Sequence, residues 1–438
     1  MSAEGDRLSR NALTPVQRAA LLARLSKPGG RAPEVVAAKE GLAGDAPLSF
    51  AQQRLWFLDR LQGPDATYNM PLGIRIEGPL DRAVLENVLA ALIARHDVLR
   101  TKIVQAADGP RLQTMPPSDA SAVLRHVDLS SRAREQGLIE ARAFSLMDAQ
   151  QPFDLQAAPL FRATLIEVGS EEHHLYLTLH HIISDGWSNG ILLRDLLALY
   201  LEARDGVSAG LPALPVGYRD FTRWQRDPGR ASVVERQTAA WQRRLEGAPQ
   251  GLGIATDFPR PAVLSYRGAL ETFTIAQHRT TLLRDACQVR GASLFMGLLA
   301  IFGELLRRHG AGSDIVIGSP IANRPRAEFE QLVGFFANTI ALRVDLEGDP
   351  SFIDLLGRMR TLMLDAYADQ EAPFEQLVER LGGGPGAGSH AAVRSHAGVP
   401  ASQRLHSAAR AAGLQSGADR TRDGTHPFSP DAQHHREA

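Results

Sequence analysis

The sequence predicts an α/β fold with helices packed on sheets. Between about residues 48 and 381, short alternating apolar runs give way repeatedly to longer runs with helical spacing. That rhythm occurs on both sides of a Pro/Gly-punctuated crossing at 206–217, although no exact repeat is visible. The composition, 44% apolar and 22% charged over 438 residues, is that of a globular chain able to bury a sizeable core.

The first element is a short helix at 14–26. Thr14 serves as N-cap, Pro15 takes the first helical position, and Leu21, Leu22 and Leu25 form an apolar stripe. Lys27-Pro28-Gly29-Gly30 stops it, and residues 28–47 read as a linker, so 1–47 form a leader. Leu72 to Glu77 alternates as a strand. Asp81 to Ala94 places Val84, Leu85, Val88, Leu89 and Leu92 on a helical face. Phe161 to Val168 and His174 to Leu179 are strands joined by a short polar link, and Ile191 to Leu201 is an apolar helix.

Beyond the crossing, Thr272 to Ile275 is strand-like and residues 278–290 and 293–308 are helical. Asp314 to Gly318 and Thr339 to Val344 are strands. Phe352 to Met363 and Phe374 to Leu381 are helices. These elements divide into an N-terminal half, about 48–215, and a C-terminal half, about 216–381. From 382 to 438 only Val393, Val399, Leu405, Leu414 and Phe428 are large and apolar. Five such residues bury too little surface to offset ordering entropy, so the tail is expected to be disordered.

Charge and cysteine usage remove several classes of function. Lys plus Arg number 48 against 49 Asp plus Glu, so no global charge favours nucleic acid or an anionic membrane. No apolar run reaches the length of a membrane span. Cys287 is the lone cysteine and no zinc-type Cys/His spacing occurs, which predicts no metal site and a reducing, cytoplasmic setting.

The chemistry concentrates in His180-His181-Ile182-Ile183-Ser184-Asp185-Gly186-Trp187-Ser188, between a strand and a helix. If the strand continues through both histidines, their side chains face opposite ways, one into structure and one into a cavity. Asp185 anchors the turn or pairs with a buried cation. The plainer alternative is two structural histidines with a capping Asp. Gly186 to Gly190 also fits G-x-S-x-G, which would make Ser188 a hydrolase nucleophile. That arrangement requires a downstream acid and then a histidine, and the patterned region after Asp314 or Asp345 contains no histidine.

Six ordered motifs resemble those of the condensation domain of nonribosomal peptide synthetases. Ser49 to Leu58 (SFAQQRLWFL) is similar to the first. Arg95 to Thr101 (RHDVLRT) is similar to the second, with Asp97 where Glu is usual. His180 to Gly186 matches HHxxxDG, which other acyltransferases share, and Tyr218 to Arg226 resembles the fourth. Ile317 to Arg324 with Gly334 to Thr339 resembles the fifth. Asp369 to Glu375 resembles the sixth, with Asp369 replacing a usual His and Glu371 a usual Asp. The flavour is that of the subtype accepting an L-configured donor. The seventh motif, expected shortly after Glu375, is not found, which predicts a truncated second half.

This resemblance implies two chloramphenicol-acetyltransferase-like halves in a V with a central tunnel. It implies amide-bond formation between acyl groups held as thioesters on phosphopantetheine arms of donor and acceptor peptidyl carrier proteins. An adenylation domain or module would act in trans, and the domain itself would bind no cofactor. His181 would accept the amine proton, orient the amine or stabilise the tetrahedral intermediate; the three roles stay open. Gly186 would offer an N–H to the oxyanion. His180 would be structural, and Asp185 would pair with Arg100. Trp187, Ser188 and Asn338 would line the tunnel. Trp56, Trp224, Arg54 and Tyr218 would pack. The competing readings are an inactive remnant or carrier-docking module, and a serine hydrolase or small-molecule acyltransferase.

Overall fold

A computed structural model describes residues 45–117, 124–206, 208–249, 251, 253–258, 273–382 and 414–416. The leader helix, and the tail apart from Gly382 and residues 414–416, lie outside the described residues.

Strand β1 (Ala46–Pro47) leads into helix α1 (Phe50–Gln62), which opens on a reciprocal capping box between Ser49 and Gln52. Strand β2 (Asn69–Glu77) and helix α2 (Arg82–Arg95) follow, then a hairpin of β3 (Thr101–Ala106) and β4 (Gly109–Thr114). Next come β5 (Leu124–Asp128), α3 (Arg134–Ala149), β6 (Phe161–Gly169), β7 (Glu172–His180) and the 20-residue α4 (Gly186–Asp205). Helices α5 (Tyr218–Gln225) and α6 (Ala231–Leu245) make the crossing. Helices α7 (Gln277–Val289) and α8 (Leu294–Leu306), strands β8 (Asp314–Ile321) and β9 (Asn338–Asp345), and helices α9 (Phe352–Ala368) and α10 (Phe374–Arg380) follow.

The main sheet has the order β10-β2-β7-β6-β5, where β10 is Leu414–Ser416. Strand β7 is central and pairs antiparallel on both sides, with His180 opposite Asn69 and Leu179 opposite Phe161. A residue at the end of such a strand is held by two neighbours, so the chain leaving β7 starts from a fixed point. Strands β8 and β9 form a separate antiparallel pair.

Two large apolar cores result. The first joins α2 (Leu85, Leu89, Leu92) to the main sheet (Leu175, Leu177, Leu179) and to Tyr218 and Phe221 of α5. It also takes in Phe329, Leu332, Val333 and Phe336, which come from the loop between β8 and β9. The second core gathers Trp241, Ala300, Ile317, Leu342 and Met359. Strands β8 and β9 thus pack in the second core while the loop between them inserts into the first.

A buried ion cluster braces the first half. Asp195 of α4 is fully buried, with Arg95 Nε at 2.8 Å and His96 Nε2 at 3.1 Å from one carboxylate oxygen. Arg194 reaches the other oxygen at 2.6 Å. Burial pushes this carboxyl up, but hydrogen bonds from His96, Arg95 and Arg194 outweigh it and bring the pKa to about 2. The Arg95-His96 pair of the second motif thus locks α2 to α4.

The expected strands and helices of the patterned region are present, with one exception. Phe273 to Ile275 is not a strand, and Phe273 is 83% exposed. In the tail expected to be disordered, residues 414–416 pair antiparallel with 74–76. Among the described residues no single helix is long and apolar enough to cross a membrane.

Candidate active site

The site begins where β7 ends. His180 closes the strand, and His181 to Ile183 form a single 3-10 turn before α4 starts at Gly186. The strand does not continue through both histidines, so the turn rather than strand alternation separates them.

His180 is 4% exposed and its Nδ1 accepts the Ile182 N–H at 3.1 Å. Tyr68 and Phe153 surround the ring, Phe153 edge-on. Burial, reinforced by the neighbouring His181, lowers its pKa to about 4. The folded state therefore holds His180 neutral between about pH 6.5 and 4, while the unfolded chain binds a proton. Stability is then complete above about pH 6.5 and falls as pH drops toward 4. Between about pH 7.5 and 5 the loss from this residue is about 2 kcal/mol. Denaturant unfolding at both pH values should show a shallower acid limb in His180→Asn, which keeps the acceptor; equal limbs would remove this assignment.

His181 is half-buried, and its Nδ1 lies 2.8 Å from the Ser184 carbonyl oxygen. A carbonyl only accepts, so Nδ1 carries the proton and Nε2 presents a lone pair in the neutral ring. The Phe335 ring packs against the imidazole at 4.6 Å between centroids. Gln52 Nε2 donates to the Ile182 carbonyl at 2.8 Å and fixes the turn from α1.

Asp185 caps α4 and is the hub of a buried network. Its Oδ1 accepts the Ser188 N–H at 2.8 Å, and its Oδ2 accepts the Phe336 N–H at 3.1 Å. Arg324 donates Nη1 to Oδ2 at 3.1 Å and Nη2 to Oδ1 at 3.3 Å. Both side chains are almost completely buried. The expected partner, Arg100, is elsewhere: its Nη1 donates to the Met115 carbonyl beyond the β3–β4 hairpin. Arg324 wins because the β8–β9 loop inserts into the first core and brings its guanidinium under the N-terminus of α4.

Ser188 is fully buried, which corrects both the tunnel-lining and the nucleophile readings. Its O–H is shared between Asp185 Oδ1 at 2.7 Å and the Gly334 carbonyl at 2.9 Å. Its oxygen accepts from Arg324 Nη2 at 3.0 Å and from the Gly334 N–H at 3.1 Å. A hydroxyl so occupied has no freedom to attack a substrate. Asn338 is likewise engaged: Nδ2 donates to the Gln370 and Ala372 carbonyls, and Oδ1 accepts from Phe374 N–H. It clamps the 370–374 loop. Trp187 is 42% exposed and donates its indole N–H to the Glu330 carbonyl at 3.0 Å.

Gly186 is the first residue of α4. A Cβ added there would meet no protein atom within 4 Å, so packing does not demand glycine and the space beside it is open. The first N–H groups of a helix have no intrahelical acceptor and carry its positive dipole end. Gly334 differs: an added Cβ would lie 2.0 Å from Tyr218 Cδ2. Tyr218 is fixed by its O–H donating to the Phe335 carbonyl at 2.7 Å, and burial pushes its hydroxyl pKa far upward. Gly334→Ala should cost about 1–3 kcal/mol through overpacking, read as a lower denaturant midpoint. An unchanged midpoint would mean that the Tyr218 contact is not tight.

Sequence reasoning missed Arg324, Gln52, Phe335 and Gly334 as parts of this site. All four lie inside motifs already singled out, and the available signal was that Asp185 needed a buried cation. The two departures in the sixth motif also find partners. Asp369 Oδ2 accepts from Arg244 at 2.5 Å, and Glu371 pairs with Arg230.

The profile of the condensation domain family matches residues 42–390. The chain belongs to that family. It is 44% identical over 335 residues to one of the linear gramicidin synthase proteins of Brevibacillus parabrevis, taking in 76% of this chain and 4% of that protein. It is 40% identical over 369 residues to phosphinothricin tripeptide synthetase PhsC of Streptomyces viridochromogenes, taking in 84% of this chain and 34% of that protein. The chain thus spans a small share of the length of these curated relatives. Among solved structures, the X-domain from teicoplanin biosynthesis superposes with a TM-score of 0.69 at 27% identity, covering 84% of this chain and 78% of that one. The first condensation domain of the CDA synthetase shares the fold, with a TM-score of 0.67 at 24% identity, covering 78% and 80%.

Proposed function

We propose that this chain forms an amide bond between two acyl groups delivered as thioesters on the phosphopantetheine arms of donor and acceptor carrier proteins. The observation that carries the reading is the fixed tautomer of His181. With Nδ1–H engaged by the Ser184 carbonyl, Nε2 is the free basic atom at the exit of β7. The acceptor amine nitrogen bonds to the donor carbonyl carbon, and the carbon–sulfur bond breaks. The proton lost by nitrogen ends on the departing thiolate. His181 Nε2 serves that transfer by taking the proton or by holding the amine in line. Gly186 is exposed at the positive end of α4, and its N–H would donate to the carbonyl oxygen as it gains charge.

A thioester is already activated, so positioning supplies much of the acceleration. The adenylation activity that loads the carriers belongs to other domains or chains. Mixing the chain with an aminoacyl-loaded donor carrier and an aminoacyl-loaded acceptor carrier tests the reading. Dipeptidyl thioester on the acceptor carrier, detected by mass spectrometry, is the expected product. A folded chain that binds both carriers and yields none would instead be a docking module.

A further inference from the structure

The sequence-based expectation for Tyr218 is packing, and its ring does pack. It is buried at the start of α5, edge-on to Phe336 at 5.0 Å between centroids and 5.5 Å from Phe221. Its ring also leaves no room for a side chain at Gly334. A phenylalanine would make all of these contacts. The hydroxyl remains to be accounted for, because burying it costs free energy that only hydrogen bonds offset.

Those bonds run in two directions. The Phe335 carbonyl only accepts, so the Tyr218 proton goes to it, at 2.7 Å. Ser49 Oγ lies 3.3 Å from the same tyrosine oxygen, and with the tyrosine proton committed the serine O–H is the donor there. The capping box locks Ser49 to Gln52: its N–H donates to Gln52 Oε1 and its Oγ accepts the Gln52 N–H, both at 3.1 Å. The far end of the Gln52 side chain donates to the Ile182 carbonyl in the His181 turn. In the other direction, the residue whose carbonyl Tyr218 holds is the one whose ring packs against the His181 imidazole. Two supports of His181, the Phe335 ring from the β8–β9 loop and the Gln52 amide from α1, are thus joined through one oxygen.

We propose that the Tyr218 hydroxyl is a positioning group for His181. It sets the spacing between Phe335 and the turn held by Gln52, so that the imidazole keeps Nδ1–H on the Ser184 carbonyl and presents Nε2 as the free basic atom. The inference rests on the proposed reaction for the use made of Nε2. Tyr218 acts through its neighbours and touches no substrate. Without the hydroxyl, Phe335 shifts and the imidazole gains room to turn. The Ser184 bond then breaks, and the ring proton is free to move to Nε2.

Tyr218→Phe tests this, since it removes one oxygen and keeps the ring. Single-turnover transfer between loaded carriers should slow about ten-fold at saturating carrier. The carrier concentration at half-maximal rate should change by less than about two-fold. Isotope-edited NMR of the full chain with labelled histidine gives a second readout, the His181 signals being those lost in His181→Ala. At about pH 8 the wild type should show Nδ1 protonated and Nε2 bare, and Tyr218→Phe should add a share of the Nε2–H tautomer. Ser49→Ala, which removes the hydroxyl donating to Tyr218, should give a smaller change of the same kind, and it decides the matter if Tyr218→Phe does not fold. Ile340→Val, in the second core, should lower the denaturant midpoint and leave rate and tautomer unchanged. A wild-type rate or an unchanged tautomer in folded Tyr218→Phe overturns the proposal, as does an equal loss of rate in Ile340→Val. If the wild type forms no dipeptide, the proposed reaction fails and the tautomer comparison alone decides the positioning role.

Discussion

Asp185→Ala is expected to destabilise the chain by about 3–5 kcal/mol, because it leaves the Arg324 guanidinium buried without its counter-charge. The loss extends beyond one ion pair. The carboxylate also accepts the Ser188 and Phe336 N–H groups, so both lose a buried acceptor. Arg324→Ala should cost a similar amount for the converse reason. The double variant Asp185→Ala/Arg324→Ala should cost clearly less than the sum, since each single change already breaks the contact. Asp185→Ala with Arg100→Ala should instead be additive within about 0.5 kcal/mol, because those side chains share no partner. Equilibrium denaturation of the wild type and these variants decides it. Additivity for the Arg324 pair and coupling for the Arg100 pair would reverse the assignment.

That cycle marks the boundary of what could be read from the sequence. The identity of the loop was legible, because HHxxxDG packs its chemistry into seven consecutive residues between a strand and a helix. The need for a buried cation was legible too, from an Asp at a tight turn. The cation itself was not. Arg324 lies 139 residues away, and only insertion of the β8–β9 loop into the first core brings it close. Arg100 was expected because the resemblance of the second motif would place it behind the loop, and its guanidinium donates instead to the Met115 carbonyl.

The same distinction explains the elements. Helix α2 and strands β2, β6 and β7 bury regular faces, so their periodicity shows. Strand β5 has mostly exposed or half-buried residues on a sheet edge and gives no alternation to find. Helix α6 buries Gln237 and Thr238 beside Trp241 and Leu245, so its inward face does not read as apolar. Phe273 to Ile275 alternates in sequence yet takes no strand conformation, and Phe273 stays exposed. Ser188 shows the opposite error: G-x-S-x-G was present in full, yet burial and four neighbouring polar atoms disarm it.

His181→Ala should separate chemistry from architecture. In the proposed reaction it removes the one ring nitrogen placed to handle the amine proton, so turnover should fall by about 10²–10⁴-fold. Stability should change little compared with Asp185→Ala. The His181 ring is half-buried, its one side-chain hydrogen bond among the described residues is to the Ser184 carbonyl, and the turn keeps its support from Gln52. Single-turnover transfer between loaded carriers measures the rate, and a denaturant midpoint measures the fold. Wild-type turnover in a folded His181→Ala protein would remove His181 from the mechanism. Added imidazole discriminates between its roles. Restored turnover assigns proton transfer to Nε2, because a diffusing base can replace a proton acceptor. No restoration in the folded variant assigns orientation of the amine, which requires a ring held by Ser184 and Phe335 and which a diffusing base cannot supply.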